Sequence, residues 1–70
     1  MKLPVCSGNG ALKAALRLGW EFKRQKGSHV IVTKGDKLLV IPMHATLKKG
    51  TLQQILRVLG VTREEFKELL

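Results

Sequence analysis

The sequence predicts a small two-layer α+β domain, in the order α-β-β-β-α with an extra C-terminal helix. Three observations predict it. The β-branched run His29-Val30-Ile31-Val32-Thr33 and the apolar run Leu38-Leu39-Val40-Ile41 flank the turn signal Gly35-Asp36, which is the pattern of a β-hairpin. Leu52, Ile55, Leu56 and Leu59 recur at i, i+3, i+4 and i+7, the stripe of an amphipathic helix. Ser7 ahead of one periodic stretch and Thr62 ahead of another supply helix-capping side chains.

Taken in order, Ser7 is the expected N-cap of a first helix, with Leu12, Ala15 and Leu16 as its apolar stripe and Gly19 in the left-handed position that ends it. Gly8 and Gly10 weaken the first turn of that helix, because glycine loses the most backbone freedom on ordering. Trp20 and Phe22 then alternate with Glu21 and Lys23, the period of a strand. After the hairpin, Pro42 has no backbone donor, so the third strand ends there or lies at a sheet edge. Residues 44–50 read as a loop. Thr51 through Gln54 has the form of a capping box that would open the next helix, and Gly60 stops it. Thr62 with Glu65 is a second capping box, Val61 with Phe66 has the spacing of a hydrophobic staple, and Leu69 and Leu70 extend the last apolar face.

Seventy residues leave room for one domain, spanning 1–70. A chain of this length buries only roughly 60% of its unfolded surface. The single cysteine, Cys6, rules out an intramolecular disulfide and any sulfur-rich zinc cluster. It reads as a small apolar core residue in a reducing compartment. The start of the chain lacks the apolar stretch of a secretory signal, and nothing approaches the roughly 18 apolar residues of a membrane span. A cytoplasmic location is the expectation.

Charge narrows the partner. Thirteen basic residues against five acidic ones give a net charge of +8, and all of the excess lies in residues 1–57. A field this lopsided recruits a polyanion. Nucleic acid is favoured over membrane, because the first helix carries only Lys13 and Arg17 and falls short of a basic amphipathic face. The two hairpin runs are apolar on both sides, so helices on one face would leave the other as a contact surface for a partner or a second copy.

The inventory for chemistry is short. There is no paired-carboxylate spacing, no phosphate-binding glycine loop and no zinc-protease motif, so neither a metal nor a cofactor is expected. RNA cleavage asks for little: the ribose 2′-hydroxyl is an internal nucleophile, and the enzyme must move two protons and stabilise charge on phosphate oxygens. Histidine suits the proton transfer because its ordinary pKa lies near neutrality, and lysine or arginine can stabilise the charge. Lys23, Arg24 and Lys26 precede Gly27-Ser28-His29. Gly27 allows a sharp turn or a close approach to phosphate, and Ser28 offers a hydroxyl and an amide. His29 is therefore the candidate proton-transfer group. His44, beyond the far arm of the hairpin, is the candidate for a second proton transfer or for holding phosphate. Lys48 and Lys49 are suited to backbone contact. A structural or solvated role for each of these residues is the competing reading.

The chain resembles the HicA (YcfA-like) family of mRNA interferase toxins over nearly its whole length. The resemblance rests on Leu3-Pro4-Val5 with Ser7-Gly8, Leu18-Gly19-Trp20, Lys23 through His29, Pro42-Met43-His44, and Lys49-Gly50-Thr51-Leu52 with Ile55-Leu56-Arg57. It implies a double-stranded-RNA-binding-like fold, metal-independent cleavage of mRNA, and a HicB-type antitoxin that masks the active site; the assembly expected is a homo-oligomer or a hetero-oligomer with the antitoxin. The family's catalytic histidine falls on His29. Val30 stands where many relatives carry a second histidine. The alternatives are a non-catalytic RNA-binding module on the same fold, and a protein-interaction module that uses the apolar hairpin face.

Overall fold

The computed structural model describes residues 6–70, so Leu3-Pro4-Val5 lie outside the described residues. Its elements are α1 (Gly8–Arg17), β1 (Glu21–Lys26), β2 (His29–Lys34), β3 (Lys37–Pro42), α2 (Lys49–Leu59) and α3 (Arg63–Leu69). This is the expected α-β-β-β-α order with a third helix after it.

The strands form one antiparallel sheet in the order β1-β2-β3. Both hairpins close through two residues with glycine first, Gly27 at φ 59° and Gly35 at φ 61°. A positive φ at the first turn position is what a tight type II′ connection requires, and only glycine adopts it without strain. Lys26 therefore lies opposite His29, and Lys34 opposite Lys37. The register places Val30 opposite Ile41 and Val32 opposite Leu39, and all four are buried.

These four meet Ala11, Ala14 and Ala15 of α1, Leu52, Ile55 and Leu56 of α2, and Phe66 of α3 in one apolar cluster that also takes in Trp20 and Leu47. Phe66 is fully buried, which is worth roughly 1.5–3 kcal/mol. Among the described residues, no helix lies over the opposite side of the sheet. Leu38 is 54% exposed and Val40 42% exposed, with Ile31 half-buried between β1 and β3, as the two-sided hairpin pattern led us to expect.

Several local details differ from the sequence expectations. The buried face of α1 is Gly8, Ala11, Ala14 and Ala15, while Leu16 is 44% exposed; small residues are selected because the helix lies close against the sheet. β1 forms as the Trp20/Phe22 alternation predicts, but that alternation does not line a core face. Trp20 is buried just before the strand, but all of β1 is exposed at the sheet margin and its register shifts between Phe22 and Arg24.

Another concerns α2, which starts at Lys49 after Lys48 as N-cap, with no side-chain cap. Its start is decided by Leu47 and Leu52, which have staple spacing and are both buried. Leu47 is also held by a hydrogen bond from its N–H to the Cys6 carbonyl at 2.8 Å. The Thr51–Gln54 box therefore falls inside the helix. By contrast, Ser7 caps α1, Gly60 ends α2 in the left-handed conformation, and Thr62 and Glu65 form a reciprocal capping box. Leu69 is half-buried, but Leu70 is 48% exposed and does not extend the core.

Candidate functional site

Of the candidate residues, His29, Arg24 and Lys26 share the open side of the sheet. Met43 donates its N–H to the Ser28 carbonyl at 2.6 Å. With the antiparallel register, that bond makes Val30/Ile41 and Val32/Leu39 the hydrogen-bonded pairs, and His29/Pro42, Ile31/Val40 and Thr33/Leu38 the non-hydrogen-bonded ones. Pro42 thus sits where its missing N–H would have pointed away from the sheet. His29, Ile31 and Thr33 alternate with the buried Val30 and Val32, so they share the uncovered face.

His29 is exposed and stands between Lys26 on β1 and Pro42 on β3. Arg24 lies opposite Ile31 on the same ladder, and Lys23 is the extra residue at the bulge. All three cations are exposed. The Gly27-Ser28 turn is anchored from both sides: the Gln25 side-chain amide donates to the Gly27 carbonyl at 3.1 Å, and the Ser28 carbonyl takes the bond from Met43. A Cβ at Gly27 would meet nothing within 4 Å. Glycine is needed there for its φ, and the space above it is open to a ligand.

His44 is exposed too, two residues beyond the partner of His29. Its main chain is fixed by Gly8, whose N–H donates to the His44 carbonyl at 2.9 Å. A Cβ on Gly8 would collide with the Pro42 carbonyl oxygen and lie 2.7 Å from Met43 Cα. The glycine that weakens α1 as a helix is what lets α1 dock on the segment carrying His44. Sequence reasoning missed this residue, since a glycine in a first turn signals only reduced propensity. The hairpin thus brings the backbones of the His29 and His44 segments together.

Lys48 and Lys49 lie at the start of α2 and are exposed. Two other cations have structural partners. The Lys34 ammonium donates to the Leu18 carbonyl at 2.7 Å, and the Arg17 guanidinium donates to the Leu69 carbonyl at 3.1 Å. Both carbonyls lie at helix C-terminal ends, where a cation also complements the helix dipole. Burial pushes the Cys6 thiol pKa up, against a smaller lowering by a backbone hydrogen bond from Ala11; Cys6 belongs to the core, as expected. Among the described residues, no three His, Cys, Asp or Glu side chains are grouped to hold a metal ion, and no helix is long and apolar enough to cross a membrane.

The fold and this face define a small basic α+β domain with one sheet side left open and a histidine at the hairpin turn on it. The chain belongs to the family described as the HicA toxin of bacterial toxin-antitoxin systems, whose sequence profile matches residues 9–61. No curated protein matches it closely enough to add to that assignment.

Proposed function

We propose that the chain is the toxin of a type II toxin-antitoxin pair and acts as a metal-independent endoribonuclease on mRNA, with His29 as the general acid or base. The observation that carries this reading is the position of His29. It is exposed, on the side of the sheet that no helix among the described residues covers, directly opposite Lys26 and beside an open glycine turn.

RNA lies across this face with its phosphates toward Lys23, Arg24, Lys26 and the Gly27-Ser28 turn, and with Lys48 and Lys49 as further backbone contacts. The ribose 2′-oxygen attacks the adjacent phosphorus while an imidazole removes its proton; the bond to the 5′-oxygen breaks, and that oxygen takes up a proton. The products are a 2′,3′-cyclic phosphate and a 5′-hydroxyl end. Charge on the phosphate oxygens grows during attack, and the neighbouring cations stabilise it more in that state than in the ground state. His44 is the candidate for the second proton or for holding phosphate. A HicB-type antitoxin restrains the activity by covering the face, and the pair works in the cytoplasm.

Induced expression in a tolerant bacterium tests the reading. The wild-type chain should fragment total RNA and arrest growth, and His29→Ala should do neither while still shifting RNA in a gel at low salt. Intact transcripts with the wild-type chain, or equal breakage with His29→Ala, would overturn it. RNA binding without cleavage in the wild type would instead identify a binding module.

A further inference from the structure

We infer that the free edge of β3 and the groove beside α2 form a docking site for an extended, acidic polypeptide segment, which joins the sheet as a fourth strand. This inference does not depend on whether His29 cuts RNA.

The sheet order leaves β3 at an edge. Since the Met43–Ser28 bond sets the phase of the ladder, the N–H and C=O groups of Leu38 and Val40 point away from β2. No backbone hydrogen bond outside the regular elements occupies them among the described residues. Beside that edge lies a groove of about 350 Å³, lined by residues 38–40 of β3 and by Thr51, Gln54, Ile55 and Val58 of α2. An edge strand next to a groove of mixed apolar and polar lining beside a helix is an arrangement that can bind an extended peptide: main-chain bonds supply affinity and alternate side chains enter the groove. β1, the other edge, is exposed along its whole length and broken by a bulge, a device that discourages pairing.

Charge selects the occupant. β3 begins at Lys37, α2 carries Lys49 and Arg57 behind Lys48, and residues 37–63 contain no Asp or Glu; the nearest acid is Asp36 in the preceding turn. A segment that alternates apolar with acidic residues fits both the groove and its surround. A second copy of this chain fits poorly, because it brings +8 of like charge and the same basic strand. Nucleic acid fits less well than peptide here, because its phosphates supply only acceptors and its 2′-hydroxyl and base donors do not repeat at the spacing of the outward carbonyls of Leu38 and Val40.

The test selects short random peptides, displayed on a carrier, for binding to the full chain. The expected peptides are acidic and alternate with Val, Ile or Leu, and they slow hydrogen exchange at the Leu38 and Val40 amides. Two variants check the geometry. Val40→Pro removes an outward donor without touching the β2 ladder, and Leu38→Glu adds like charge at an exposed position; each should weaken the selected peptides by about tenfold or more. Should Val40→Pro not fold, Leu38→Glu alone decides. No enriched peptide, enriched peptides that are basic, unchanged affinity in Leu38→Glu, or protection of those amides by oligouridylate in place of peptide would each overturn the inference.

Discussion

Gly8 donates its amide hydrogen to the carbonyl of His44 at 2.9 Å, which fastens the start of α1 to the end of the hairpin. A methyl group on Gly8 has no room, since Pro42 and Met43 lie against that position with their main chains. Gly8→Ala should therefore lower stability by about 1–3 kcal/mol, although the same change usually favours a helix. Gly50 is the control. It lies in α2 with nothing within 4 Å of a would-be Cβ, so Gly50→Ala should raise stability by about 0.5–1 kcal/mol. Urea midpoints of the two variants, moving in opposite directions, check the contrast; a gain for Gly8→Ala would refute the docking argument.

Arg24 and Lys26 stand on the open face near His29, whereas Lys34 is bonded to the Leu18 carbonyl. Removing a lysine that contacts phosphate lowers the salt dependence of single-stranded RNA affinity by about 0.7 per contact in log–log slope. Arg24→Gln and Lys26→Gln are expected to do this, and Lys34→Gln is expected to leave the slope unchanged while lowering the thermal midpoint. Fluorescence anisotropy across a salt series, read beside a melting curve, separates the two classes. Equal slopes for all four proteins would remove the face from consideration as the RNA site.

His44 should matter less than His29. Loss of a positioned proton donor or acceptor costs roughly 10²–10⁴-fold in rate, so His44→Ala should reduce kcat by at least about a hundredfold if it transfers the second proton. A substrate with sulfur in place of the bridging 5′-oxygen needs no proton on its leaving group, and it should restore the variant of whichever histidine serves as the acid. A rise in KM at constant kcat would assign His44 to holding phosphate.

Cys6 should react slowly with alkylating reagents. Burial disfavours its thiolate and raises its pKa, so at mildly alkaline pH the native chain should be modified far more slowly than the urea-unfolded chain. The sign for stability follows. The contribution is complete below the unfolded thiol's pKa and is lost as pH rises through the higher folded value. Cys6→Ala should accordingly flatten the alkaline fall in stability; equal alkylation rates for the native and unfolded chains would contradict the burial.

Sequence by itself determined the order of elements, because local rules decide them. The two glycine turns, the β-branched run, the Ser7 and Thr62 caps and the α2 stripe depend on residues a few positions apart. It also offered His29 and the cations before it as candidates, since residue types and their order in the chain are visible without coordinates. Tertiary structure decided what depends on distant partners. Whether Leu38 and Val40 are covered depends on which side of the sheet the helices occupy. The start of α2 depends on where Leu47 is buried, more than on the local Thr51 signal. Lys34 and Arg17 look like any other surface cations until Leu18 and Leu69 are seen beside them. Gly8 reads as a weak helix residue until the backbone of Pro42 is found in the space its side chain would fill. Such choices turn on packing and excluded volume between segments far apart in the chain, which local pattern does not record.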